Sequence, residues 1–257
     1  QAPGLNFSLG NFLGVSELDI LKVDLVAGAS STLYGPNAFN GVINMETKNP
    51  FYHKGLSASV KAGERNLLEA AVRWADVFKN KKGEDVFGYK LNFFHLRAND
   101  WVADNYNAVD QSRDTVGNPG GYNAVNIYGD EDDNRFKNTN LNGYKGLTTW
   151  SRAGYKEIDL VDYDTRNTKA NVGLYFKTSP SRGIESPEFI ISSSFGSGTT
   201  VYQGDNRFSL KDILFFQNKL EFSKKDKYYI RAYATHEDAG NSYDPYFTAL
   251  ALQKYNK

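Results

Sequence analysis

The chain has 257 residues, with 30 basic and 30 acidic side chains, and a formal net charge of zero. It has no Cys, which excludes disulfide frameworks and thiolate zinc sites, and the balanced charge argues against broad electrostatic capture of nucleic acid. No stretch approaches the about 18 consecutive apolar residues of a membrane helix, yet a mean hydropathy of -0.55 is compatible with a membrane β-barrel, in which only every second strand residue meets lipid. The aromatic and Gly content, 17 Tyr, 17 Phe and 23 Gly, suits such a barrel, although a soluble sandwich shares it.

Residues 1–14 carry no basic-then-apolar leader, so the expectation is either a signal peptide already removed or, the better fit, a start inside a longer protein. The first predicted strand, 20–26, alternates Ile20, Lys22, Asp24 and Val26 against the apolar Leu21, Val23 and Leu25. A small-residue loop through Gly28 and Gly35 leads to a second short strand over 42–47. From Gly55 onward the pattern becomes long alternating segments separated by polar turns. The segment 56–62 sets Leu56, Ala58, Val60 and Ala62 against Ser57, Ser59 and Lys61, and the bend 63–66 reverses the chain. The next sets Leu68, Ala70, Val72 and Trp74 against Glu69, Ala71, Arg73 and Ala75. A third sets Phe87, Tyr89, Leu91 and Phe93 against Gly88, Lys90 and Asn92, and the phase break at Phe94 and Leu96 predicts a bulge or the membrane edge. The fourth sets Ala170, Val172, Leu174 and Phe176 against Lys169, Asn171, Gly173, Tyr175 and Lys177. Strands over 189–195, 213–222 and 228–235 complete the series.

Arg73, Lys90 and Lys169 discriminate between two architectures. A charge at the lipid midplane costs about 2–4 kcal/mol, so in a membrane barrel alternation must aim them inward. In a soluble carbohydrate-binding sandwich the same alternation would aim them outward. Connection lengths follow the barrel rule of short turns on one side and longer loops on the other, the longest predicted loop being 99–167. That loop holds Trp101, Tyr106, Tyr122, Tyr128 and Trp150, residues suited to stacking on a sugar or peptide, or to packing a large loop.

Residues 16–48 resemble the end of the plug domain of TonB-dependent outer-membrane receptors, the SusC-like receptors of Bacteroidetes above all. The resemblance rests on the first strand, on Gly28, Leu33, Tyr34 and Gly35 in the following loop, on Gly41 and Asn44 in the second strand, and on the closing Thr47 and Lys48. The stretch 236–247 also looks like barrel sequence of these receptors. Many family members carry a basic residue before the plug glycine, where this chain has Ala27. Any plug-to-wall ion pair made by that residue is therefore in doubt.

The resemblance implies a mainly β fold, with residues 1–54 as the C-terminal part of a plug and 55–257 as the first antiparallel strands of a large transmembrane β-barrel. It implies a ligand-gated importer of a glycan, peptide or chelate in the outer membrane of a Gram-negative bacterium, of Bacteroidetes type. The expected partners are the TonB–ExbB–ExbD energising complex, a SusD-like surface lipoprotein and outer-membrane lipid, with no nucleic acid. The alternative is a non-transporting scaffold subunit that keeps the plug-and-barrel framework.

No catalytic or cofactor-binding residues are expected, and the reading is of a protein that is not an enzyme. No Gly-rich loop precedes the Lys-Ser or Lys-Thr pair of a nucleotide site, and no Ser-centred nucleophile elbow is present. Paired carboxylates such as Asp159 and Asp162 read as polar surface. Asp130, Asp132 and Asn134 resemble the opening of a calcium loop, but the sixth position is Arg135 and the twelfth is Leu141, so a solvated loop is the better reading.

Overall fold

The computed structural model describes residues 14–28, 41–108, 124–129, 154–203, 207–225 and 227–255. The chain is mainly β. β1 (Ile20–Ala27) and β2 (Gly41–Thr47) form an antiparallel hairpin, in register from Ile20 opposite Thr47 to Ala27 opposite Gly41. β3 (Gly55–Gly63), β4 (Leu67–Lys79) and β5 (Asp85–Asn99) follow, and β6 (Ile127–Tyr128) pairs with β7 (Tyr155–Lys156) inside the long connection. β8 (Asp164–Lys177), β9 (Glu188–Gln203), β10 (Arg207–Lys224) and β11 (Tyr228–Asp238) complete a seven-stranded sheet of order β3-β4-β5-β8-β9-β10-β11. Apart from the inserted β6 and β7, neighbours in sequence are neighbours in the sheet, the order expected of strands joined by simple reversals. The one α-helix among the described residues, α1 (Pro245–Tyr255), ends them.

The chain divides into two compact units, one of residues 1–97, 166–198 and 214–238, the other of residues 98–165, 199–213 and 239–257. In the first unit the polarity of the sheet is inverted relative to a water-soluble core. Arg73, Lys90, Asn92 and Lys169 are buried, whereas Leu56, Val60, Leu68, Val72, Trp74, Leu91 and Phe93 are exposed. The register explains how one face collects these groups: Leu56 lies opposite Trp74, Ala58 opposite Val72, Ser57 opposite Arg73, and Lys61 opposite Glu69. Because side chains alternate strictly, the exposed apolar row and the buried polar row are two views of one pairing. Aromatic rings gather on the exposed face towards the turn between β4 and β5: Phe78 stacks on Phe87 at 5.8 Å, Phe87 meets Phe176 at 4.9 Å, and Trp74 meets Tyr89 edge-on at 5.6 Å.

The turn between β3 and β4 places Arg65 (φ 59°) and Asn66 (φ 58°) both in the left-handed region, with Leu67 N–H donating to the Glu64 carbonyl at 3.2 Å. Two such residues make a type I′ reversal, whose twist matches that of the flanking strands. The apolar content of the buried face is small: Phe51, Tyr175 and Ile190 cluster there with Val77 beside them.

Several expectations need correction. β5 carries no bulge at Phe94 and Leu96, where pairing with Ala71 and Glu69 is continuous; the irregularity falls between Phe78 and Lys79. The phase break arises because Phe94 is an inward aromatic, 6% exposed, with the Lys169 ammonium 4.5 Å above its ring. The long connection is shorter at both ends than 99–167, since β5 runs to Asn99 and β8 starts at Asp164. The last strand runs past the predicted 228–235 to Asp238, and within the stretch 236–247 that resembles barrel sequence α1 begins at Pro245. Pro245 stands at the helix start, where its missing N–H is harmless, and Asp244 caps it by accepting from Phe247 N–H at 3.1 Å.

In the second unit, residues 239–243 run beside the start of β10, with Ser209 and Tyr243 exchanging backbone hydrogen bonds of 2.9 Å each way. Its interior holds Leu210, Ile213 and Ala249, and the wholly buried carboxylate of Glu157. The Tyr163 hydroxyl donates to Glu157 Oε1 at 2.8 Å, Arg207 pairs with the same oxygen at 2.5 Å, and the Tyr128 hydroxyl donates to Oε2. Loss of water around it pushes the Tyr163 hydroxyl up to about 12, with the neighbouring Glu157 carboxylate adding to the effect. Tyr128 is raised for the same first reason.

Candidate functional site

The inverted face of the sheet receives the β1–β2 hairpin at a 3₁₀ turn, Glu17–Asp19, immediately before β1. This turn is closed by Asp19 N–H donating to the Ser16 carbonyl at 3.0 Å. It is tied to the end of β2 by Lys48, which donates its backbone N–H to the Asp19 carbonyl at 2.8 Å and its ammonium to the Leu18 carbonyl at 2.8 Å. The turn thereby becomes a rigid base for two acidic side chains that point at three different strands.

Asp19 is the centre. Its Oδ1 accepts from Arg73 Nε at 3.0 Å and its Oδ2 from the Lys90 ammonium at 2.6 Å, and all three side chains are at most 3% exposed. Lys90 also donates to Thr47 Oγ1 and to the Lys48 carbonyl, each at 3.0 Å, and lies 5.8 Å from the Tyr175 ring centre. Gly173 makes this reach feasible, because a Cβ there would stand 2.9 Å from the Tyr175 ring and 3.2 Å from Lys90 Cγ. Two cations on one carboxylate leave the cluster with surplus positive charge. Nη2 of Arg73, although buried, has no hydrogen-bond acceptor among the described residues.

Glu17 works at the rim of the same contact. Lys61 bridges Glu17 at 2.8 Å and Glu69 at 2.9 Å, and its hydrogen bond holds the Glu17 carboxyl below the usual carboxylate range. The segment after β2 adds a drier contact: Pro50 is fully buried against Gly88, Asn49 donates to Glu188 at 2.8 Å, and the Lys177 ammonium sits 4.5 Å over the Phe51 ring. Beside the hairpin is a polar cavity of about 750 Å³ lined by Glu46, His53, Glu188, Lys219 and Glu221 among others.

Of the motif residues expected in the hairpin, Gly28 has φ 89° at the end of β1 and Gly41 has φ 145° at the start of β2, where a Cβ would meet the Val26 carbonyl oxygen at 2.8 Å. Asn44 is exposed in β2, and Leu33, Tyr34 and Gly35 lie outside the described residues. In the long connection Trp101 is exposed, Tyr106 lies under the Lys156 ammonium at 4.9 Å, and Tyr128 belongs to the Glu157 knot. Tyr122, Trp150 and the calcium candidates Asp130, Asp132 and Asn134 also lie outside the described residues. The structure therefore does not gather the aromatic residues of this loop into one surface among those described. Sequence reasoning put Arg73, Lys90 and Lys169 on one face, inward only if the sheet is a barrel wall, and missed Asp19, the acidic partner of Arg73 and Lys90. Asp19 sits just before the first alternating segment, so no periodicity marks it.

No protein-family model, no curated protein and no solved structure matches this chain.

Proposed function

We propose that this chain is part of a TonB-dependent outer-membrane transporter, with the β1–β2 hairpin as the end of its plug and β3 to β5 and β8 to β11 as barrel wall. The observation that carries the reading is the inverted polarity of the sheet, with Leu56, Val60, Val72 and Phe93 exposed and Arg73, Lys90 and Lys169 buried. In water such a sheet would expose a contiguous apolar surface and desolvate its charges, whereas lipid on one side and a polar lumen on the other satisfy both. The aromatic cluster around Phe78, Phe87 and Trp74 suits a membrane interface. The Asp19 contact supports the hairpin as a plug element, since it binds to the polar face that would line a lumen.

On this reading the protein binds and gates and carries out no bond chemistry. An external ligand binds above the plug, TonB with ExbB and ExbD pulls from the periplasm, and the hairpin shifts along the wall. A SusD-like lipoprotein is the partner expected at the surface. The deciding experiment follows the full-length protein in a fractionated Gram-negative host and measures ligand uptake with and without the inner-membrane proton gradient. Outer-membrane residence with gradient-dependent uptake is expected. Residence without uptake would favour the scaffold alternative, and recovery in the aqueous fraction would overturn the membrane reading.

A further inference from the structure

The same face of β3, β4, β5 and β8 carries a cation on each of four adjacent strands, Lys61, Arg73, Lys90 and Lys169, with Lys177 at the end of β8. Away from the strand ends the same face supplies one carboxylate, Glu69, and that is 2.9 Å from Lys61. Among the described residues, Arg73 and Lys90 have no carboxylate partner within ion-pair distance except Asp19 of the turn. The turn's other acid, Glu17, reaches Lys61. The wall is therefore a basic stripe masked at rest by two acids carried on the hairpin.

A buried cation that loses its carboxylate needs another anion or water to replace it. If the hairpin is the moving part, its displacement uncovers Arg73 and Lys90 towards the space it leaves. Arg73 points the same way independently, since among the described residues its buried Nη2 has no acceptor even with Asp19 in place and a guanidinium fork is built to take a second oxygen. We infer that the solute carried past this wall is anionic, bearing carboxylate, phosphate or sulfate groups that take over the Asp19 position on Arg73 and Lys90. The inference rests on the plug-and-barrel reading and adds the substrate class to it. A ligand oxyanion that binds only the displaced state also favours that state, by its differential affinity.

The test uses the full-length receptor that contains this chain, reconstituted in planar lipid bilayers under a tenfold KCl gradient. Asp19→Asn removes the charge at constant size and is expected to conduct with a reversal potential displaced towards chloride, a preference of roughly tenfold, the low end of what a charged cleft supplies. Adding Arg73→Gln and Lys90→Gln should bring that preference back to near unity. An unselective or cation-preferring Asp19→Asn conductance overturns the inference. Should Asp19→Asn stay closed, thermal unfolding of Asp19→Ala decides: formate, a free carboxylate, should raise its midpoint above that in chloride of equal ionic strength, and the gain should vanish with Arg73→Gln and Lys90→Gln. Absence of a formate-specific gain overturns the inference. A protein that never inserts into lipid sinks the transporter reading instead, and the formate comparison still reports on the anion site in buffer.

Discussion

Asp19 in the first unit and Glu157 in the second, the two most deeply buried carboxylates among the described residues, solve the same problem differently. Glu157 is met by one cation and two tyrosine hydroxyls, so its charge is neutralised and both oxygens are occupied. Asp19 is met by two cations, and the site holds more positive charge than the single acid cancels. A buried charge that is balanced and hydrogen-bonded stabilises one arrangement, which suits a knot that orders a loop. A buried site with surplus charge is stable only while its partner stays, which suits a contact that must be released.

The contrast can be broken most strongly at Asp19. Asp19→Ala leaves Arg73 and Lys90 buried without their carboxylate and should destabilise the first unit by about 3–5 kcal/mol, read by chemical denaturation in lipid or detergent. Val72→Lys should follow on the membrane reading, since it puts a charge on the apolar face at the middle of β4 and costs about 2–4 kcal/mol at the midplane. Ser59→Lys, on the opposite face, should be far milder. Equal effects of the two would argue against lipid contact.

In the second unit, Glu157→Gln should cost about 1.5–3 kcal/mol through the weakened Arg207 and tyrosine hydrogen bonds, seen as faster amide exchange at residues 124–129 and 154–163. The smallest effect expected is from Tyr163→Phe, about 1 kcal/mol. Tyr163 also sets a pH window. Its hydroxyl is raised from an ordinary 10.0 to about 12 in the folded chain, so the neutral form is favoured by folding. The stabilisation is complete below about pH 10 and is lost as pH rises through about 12. Tyrosinate absorbance should show this group titrating late in the native chain and returning towards 10 in urea.

Much of the sheet is legible in the sequence because alternation is a local property: Leu56 to Ala62 and Leu68 to Ala75 announce both faces without any knowledge of neighbours. The helix Pro245–Tyr255 was legible too, from Asp244 followed by Pro245 and a run of Ala and Leu, yet the strand rhythm before it concealed the change. The phase break at Phe94 was visible and its cause was not, since a lone inward aromatic and a bulge disturb a period-two pattern alike.

The sequence by itself therefore determined which residues share a face, through the fixed geometry of the extended chain. It also showed that charges and apolar side chains occupy opposite faces. Only the tertiary structure decided which face is buried, because that depends on what packs against it. Tertiary structure alone also brought Asp19 to Arg73 and Lys90, across separations of 54 and 71 residues. Ion pairs at that range follow from the docking of the hairpin on the sheet, and no local pattern encodes them.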